Sequence, residues 1–167
     1  LGVSISCARN YATLEDLKYN EIQRERIFYS LLNSRIILSL LRGSMELKSL
    51  KYPNDLDEIQ VNFPRTSEIP IEVPLSGTGK DLYDWANKIE EQICEIVDSY
   101  GPIDTSRLVG HNTLFSLHLL RPEFLRYRGD TLVNRLSVMF DDVHKLTPVQ
   151  RTNLLRTIIN MRPSVSV

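Results

Sequence analysis

The sequence predicts a mainly α-helical domain, an α-helical bundle or short helical-repeat stack, interrupted by a Pro-rich extended arm or minor hairpin at about 51–79. Three observations lead there. Residues 14 to 41 contain neither Pro nor Gly, and their apolar side chains recur every three or four positions. Leu82, Ala86, Ile89, Ile93, Ile96 and Tyr100 advance in alternating steps of four and three, a heptad-like stripe. Between these segments stand Pro53, Pro64, Pro70 and Pro74, half of the chain's eight prolines, which a helix cannot cross.

A chain of 167 residues that is 42% hydrophobic and 25% charged fits one domain with a real core. The expected division is a flexible N-terminus over 1–13 and a single helical domain over 14–167. That domain comprises a long helix over 14–50, the extended arm over 51–79 and a four-helix segment over 80–163. No apolar run approaches the roughly 18–20 residues that span a bilayer. Cys7 and Cys94 are the only cysteines; two are too few for a disulfide framework, so free thiols in an intracellular, reducing compartment are expected.

Each element has its own signal. Thr13 with Asp16 three residues on reads as the cap of the first helix. Phe28, Leu31, Leu32, Leu38, Leu41 and Met45 form its stripe, and Gly43 is placed to end or kink it. In the arm, Ile59/Val61/Phe63 and Ile69/Ile71/Val73/Leu75 alternate with period two, which suggests extended chain with a hairpin about Arg65-Thr66-Ser67. Thr78 caps the helix from Lys80. A helix over about 104–120 follows, then one built on Leu132, Leu136, Met139, Phe140 and Val143 after Gly129-Asp130. Thr147-Pro148-Val149-Gln150 is a capping box that opens the last helix, expected to bury Leu154, Leu155, Ile158 and Ile159.

Catalytic and metal chemistry find little support. Ser76-Gly77-Thr78-Gly79-Lys80-Asp81 lacks the first Gly and the final Ser/Thr of a phosphate loop. On one helix, His111 and His118 would stand two turns apart, roughly 10 Å, too far to share a metal ion. Acidic neighbours such as Glu90-Glu91 and Asp141-Asp142 point in different directions, and nothing in the spacing pairs Cys7 or Cys94 with His144 as nucleophile and base. No catalytic residue, cofactor or metal ligand is assigned.

Charge is polarised. Residues 47–100 carry a local charge of −6 and residues 121–162 one of +4, although the whole chain sums to −1. Seven of the eight cations in 121–162 are arginine, the cation suited to forked recognition of phosphate. Arg121, Arg126, Tyr127, Arg128, Arg135, Arg151 and Arg156 are candidate RNA contacts, or a basic face docked on the protein's own acidic middle. Leu82, Ala86, Ile89, Ile93, Ile96 and Tyr100 are a candidate partner seam, or simply core.

Arg9-Asn10-Tyr11-Ala12 resembles the cleavage pattern of mitochondrial presequences, and the first acid is Glu15. Separately, the ten residues from His111 resemble the first helix of a pentatricopeptide repeat, over one helix only. The expected function is a non-catalytic protein-interaction and assembly module, with a protein partner or self-association, in the mitochondrial matrix or otherwise in the cytoplasm or nucleus. The alternative is an RNA-associated helical domain in gene expression acting through 121–162.

Overall fold

The computed structural model describes residues 1–8, 11–99 and 113–161, and its architecture is mixed α/β, 54% helical and 15% strand. This overturns the all-α bundle or repeat stack. Among the described residues there are three α-helices, a two-stranded parallel sheet and a four-stranded antiparallel sheet. In chain order these are β1 (Gly2–Ser6), α1 (Glu21–Leu47), β2 (Ile59–Asn62), β3 (Ser76–Thr78), α2 (Gly79–Asp98), β4 (Leu125–Tyr127), β5 (Asp130–Thr131), β6 (Ser137–Asp141) and α3 (Pro148–Met161).

Helix α1 is the central element, as its apolar run predicts: Leu32, Ile36, Ile37, Leu40 and Leu41 are 0% exposed. It begins later than Thr13 suggests. Residues Ala12–Asp16 form a 3-10 turn, and Asn20 is the cap. The Asn20 side chain accepts from the Gln23 N–H while the Gln23 side chain accepts from the Asn20 N–H, satisfying two orphan helix donors at once. The helix also runs through Gly43 instead of stopping there. A Cβ at that position would lie 3.1 Å from Leu1 Cδ1, so the glycine makes room for the first residue.

Helix α2 packs along α1. Thr78 caps it with Asp81, as the sequence indicates. The hydroxyl of Ser34 donates to the Ala86 carbonyl at 2.7 Å, a contact that requires the two helix backbones to approach closely. The Arg35 guanidinium joins α1 to α2 through Glu90 at 2.9 Å and covers the Tyr11 ring at 4.8 Å, tying the N-terminal segment to both helices.

Residues 1–13, expected as a flexible tail, supply β1 instead. Val3, Ile5 and Cys7 are each 1% exposed and Tyr11 is 0% exposed. The hydrophobic effect of burying alternate side chains holds the segment against α1. In the Pro-rich arm, the alternation at Ile59/Val61 is a true strand, and β2 pairs with β3 across a long connection. The arm does not stand alone, because β4 and β5 extend the sheet to the order β3-β2-β4-β5.

The largest error lies in residues 122–146, read as a short stretch and a helix. They form β4, β5, β6 and a 3-10 turn at Val143–Lys145. Consecutive apolar residues such as Val138-Met139-Phe140 suit a helix stripe or a strand equally well, and here strand partners decide. Strand β6 finds β1, more than 130 residues away in the chain. Arg128 (φ 52) and Gly129 (φ 88) are both left-handed, so the two-residue loop between Tyr127 and Asp130 is a hairpin turn of type I′ rather than a helix cap. The expected helix over 104–120 falls partly outside the described residues, and its described end is a 3-10 turn at Phe115–Leu119.

Candidate functional site

The seam on α2 is internal. Leu82 and Ala86 are 0% exposed, and Ile93, Ile96 and Ile89 are 1%, 4% and 5% exposed, facing α1 and the sheet. Tyr100 lies outside the described residues. The expectation that this stripe is offered to a partner is corrected here: its apolar side chains already have partners within the chain.

The arginines are distributed over separate elements. Arg126 lies in β4 and Arg128 in the β4–β5 turn, with Arg121 just before them; Arg135 precedes β6, and Arg151 and Arg156 are on α3. Only the hairpin set combines cations with aromatic rings. The guanidinium of Arg128 lies 5.0 Å from the Tyr127 ring centre, Lys48 Nζ lies 5.9 Å from the same ring, and Arg121 lies 6.0 Å from the Phe124 ring. Among the described residues, Arg126, Arg128, Arg135, Arg151 and Arg156 form no ion pair.

Helix α3 presents an inverted pattern. Its inward side is held by polar groups. Gln150 donates to the Tyr11 carbonyl at 2.6 Å, Asn153 donates to Glu25 at 3.3 Å, and Thr157 shares a hydrogen bond with the Tyr29 hydroxyl at 2.9 Å. Leu154 is buried and Ile158 partly so. Leu155 and Ile159, expected in the core, are 48% and 59% exposed, and Val149 is 50% exposed. With 100° per residue, Val149, Thr152, Leu155, Arg156 and Ile159 share one outward side. The capping box predicted at Thr147 is present, with reciprocal bonds to Gln150.

Reactive side chains do not converge. The Cys7 thiol is pushed up to about 11 by burial, then by Asp142 and Asp141, and burial also raises Cys94. Both are thus protonated near neutrality and poor nucleophiles, and His144 is exposed. Glu90 is committed to Arg35, and Glu91 accepts from Asn87 at 2.6 Å. His118 is half-buried on the Phe115–Leu119 turn, while His111 is outside the described residues. Among the described residues no group of three His, Cys, Asp or Glu is placed to hold a metal ion, and no helix is long and apolar enough to cross a membrane. A cleft between the start of α1 and α3, lined by Glu15, Glu21, Arg24, Glu25 and Gln150 among others, encloses about 20 Å³, room for a single water.

No family model, no curated protein and no solved structure matches this chain.

The sequence reading missed two surfaces. The outward side of α3 had a readable signal, since Gln150, Asn153 and Thr157 repeat at helical spacing and oppose Val149, Leu155 and Ile159. The other is the open side of β6, invisible until the residue range is known to be a strand.

Proposed function

We propose that this chain is a non-catalytic interaction and assembly module that docks on a protein partner through the outward side of α3. The observation that carries this reading is the apolar outward side of that helix: Val149, Leu155 and Ile159 are turned to water, while Gln150, Asn153 and Thr157 share the inward side with Leu154 and Ile158. Covering the exposed half of each of these three side chains stabilises a complex by about 1 kcal/mol apiece. Roughly 3 kcal/mol is a contribution to an interface and not a whole one, so the partner must also cover neighbouring surface. The mitochondrial address belongs to this proposal only in a form that keeps residues 1–11 on the folded chain, because Val3, Ile5, Cys7 and Tyr11 are core residues.

The test is site-specific photocrosslinking in cells from position 155, with the exposed Lys18 position as control. The expected result is one discrete adduct heavier than the 19.3 kDa chain, absent from position 18 and lost on Ile159→Asp. That variant should leave the melting temperature within about 2 °C, since surface substitutions change stability little. No adduct from position 155, or identical adducts from both positions, would refute the reading.

A second reading, nucleic-acid contact at the β4–β5 hairpin, is favoured by one specific observation. Arg128 occupies a left-handed backbone position that Asn or Gly adopts at less cost, and it stands beside Tyr127 with Lys48 near the same ring.

A further inference from the structure

We infer that β6 is a self-recognition edge, on which a second copy of this chain adds its own β6 antiparallel to give a continuous sheet β1-β6-β6-β1. The inference concerns a surface separate from α3 and does not depend on the docking reading above.

Three observations carry it. First, β6 has one open side. Among the described residues it pairs only with β1, and a two-stranded parallel sheet is unusual, since parallel sheets are normally enclosed on every side. The alternate side chains of β1 are fully covered, whereas Val138 and Phe140 of β6, directed the same way, are only half-buried. Strand β6 is therefore the rim. Its residues Val138-Met139-Phe140 contain none of the Pro or Lys that natural edge strands use to discourage pairing.

Second, the backbone fixes which groups are available. The Arg135 carbonyl accepts from the Leu1 amine, the Ser137 N–H donates to the Leu1 carbonyl, and the Asp141 carbonyl accepts from the Cys7 N–H. In a parallel ladder both backbone groups of one residue face the same neighbour, and successive residues alternate. Odd positions of β6 thus face β1, and the N–H and C=O of Val138 and Phe140 face outward. The edge ends at Asp142, which is left-handed (φ 56) and whose N–H donates to the Asp141 carboxylate at 2.8 Å.

Third, charge selects the partner. The apolar centre of β6 is flanked by Arg135, two residues before the strand, and Asp141 at its end, both exposed. An antiparallel second copy that uses the outward groups of Val138 and Phe140 sets Arg135 opposite or diagonal to Asp141 of the other copy, twice by symmetry. A parallel copy would place like charges together.

A five-residue edge buries far less than the ~1,200 Å² of a stable complex. The dimer is accordingly weak, with dissociation on the order of 100 micromolar. The experiment is sedimentation equilibrium of the full chain up to roughly 1 millimolar, with single charge variants and their mixture. Arg135→Asp and Asp141→Arg should each weaken self-association by roughly 10-fold, because two attractions become repulsions. Mixing these two variants should restore a heterodimer, since each then presents the charge that the other lacks. Val138→Pro should abolish association by removing an outward N–H that has no ladder partner among the described residues. Should that variant fold poorly, the charge pair decides alone. A mass of one chain at every concentration would overturn the inference, as would charge variants that associate like the wild type. Loss of the dimer on Ile159→Asp would also overturn it, by assigning self-association to α3.

Discussion

Asn33 is 0% exposed, and both ends of its amide are occupied by backbone. Its Nδ2 donates to the Thr113 carbonyl at 2.8 Å, and its Oδ1 accepts from the Ser116 N–H at 3.0 Å. One polar side chain thereby anchors the Phe115–Leu119 turn to α1. Asn33→Ala leaves the buried Ser116 N–H without its partner, at a cost of about 1–3 kcal/mol, and also removes the part-buried bond to the Thr113 carbonyl, about 1 kcal/mol more. The expected loss is about 2–4 kcal/mol in urea unfolding at unchanged slope; a loss below about 0.5 kcal/mol would show that water or a shifted turn takes over. At this scale the sequence was partly readable. Leu32, Ile36 and Leu40 declare themselves as core by spacing, but Asn33 within an apolar stretch declares nothing, because its partners stand 80 or more residues along the chain.

Elements were legible where their cause is local. Thr78 and Thr147 were identified as caps because the cap and its reciprocal partner lie three residues apart. Strands β4, β5 and β6 were not, because their cause is partly distant: β4 pairs with β2, more than 60 residues earlier, and β6 with β1. The β4–β5 hairpin belongs to this second group, and it carries the test of the nucleic-acid reading. Binding to single-stranded RNA loses roughly 0.7 in log–log salt slope for each phosphate contact removed. If Arg126 and Arg128 each hold a phosphate of poly(U), Arg126→Ala plus Arg128→Ala should make the slope shallower by about 1.4. An unchanged slope, or no salt dependence in the wild type, removes the hairpin as a nucleic-acid site. Arg128→Asn alone should relieve the turn and still reduce binding.

The whole molecule depends on its first strand, and Cys7 makes that dependence measurable through pH. The thiol is 1% exposed, and burial, helped by Asp142 and Asp141, raises it from 9.0 to about 11. A raised thiol value means that the folded chain keeps a proton which the unfolded chain releases. The associated stability is fully present below pH 9.0 and is lost as pH rises through about 11. Two units at about 1.4 kcal/mol each give a loss on the order of 3 kcal/mol. Burial also raises the phenols of Tyr11 and Tyr29 from 10.0, so alkaline destabilisation steepens above that value. The interval from pH 9 to 10 therefore reports the thiols, Cys7 together with Cys94, which burial also raises from 9.0. In a Cys94→Ala background, which removes the second raised thiol, the chain should lose stability across it in urea titrations, whereas adding Cys7→Ala, though it lowers stability at neutrality through a small cavity, should leave the response nearly flat. Parallel slopes for the two proteins would mean that β1 is not what the thiol reports, and that the N-terminal strand opens without the rest of the fold.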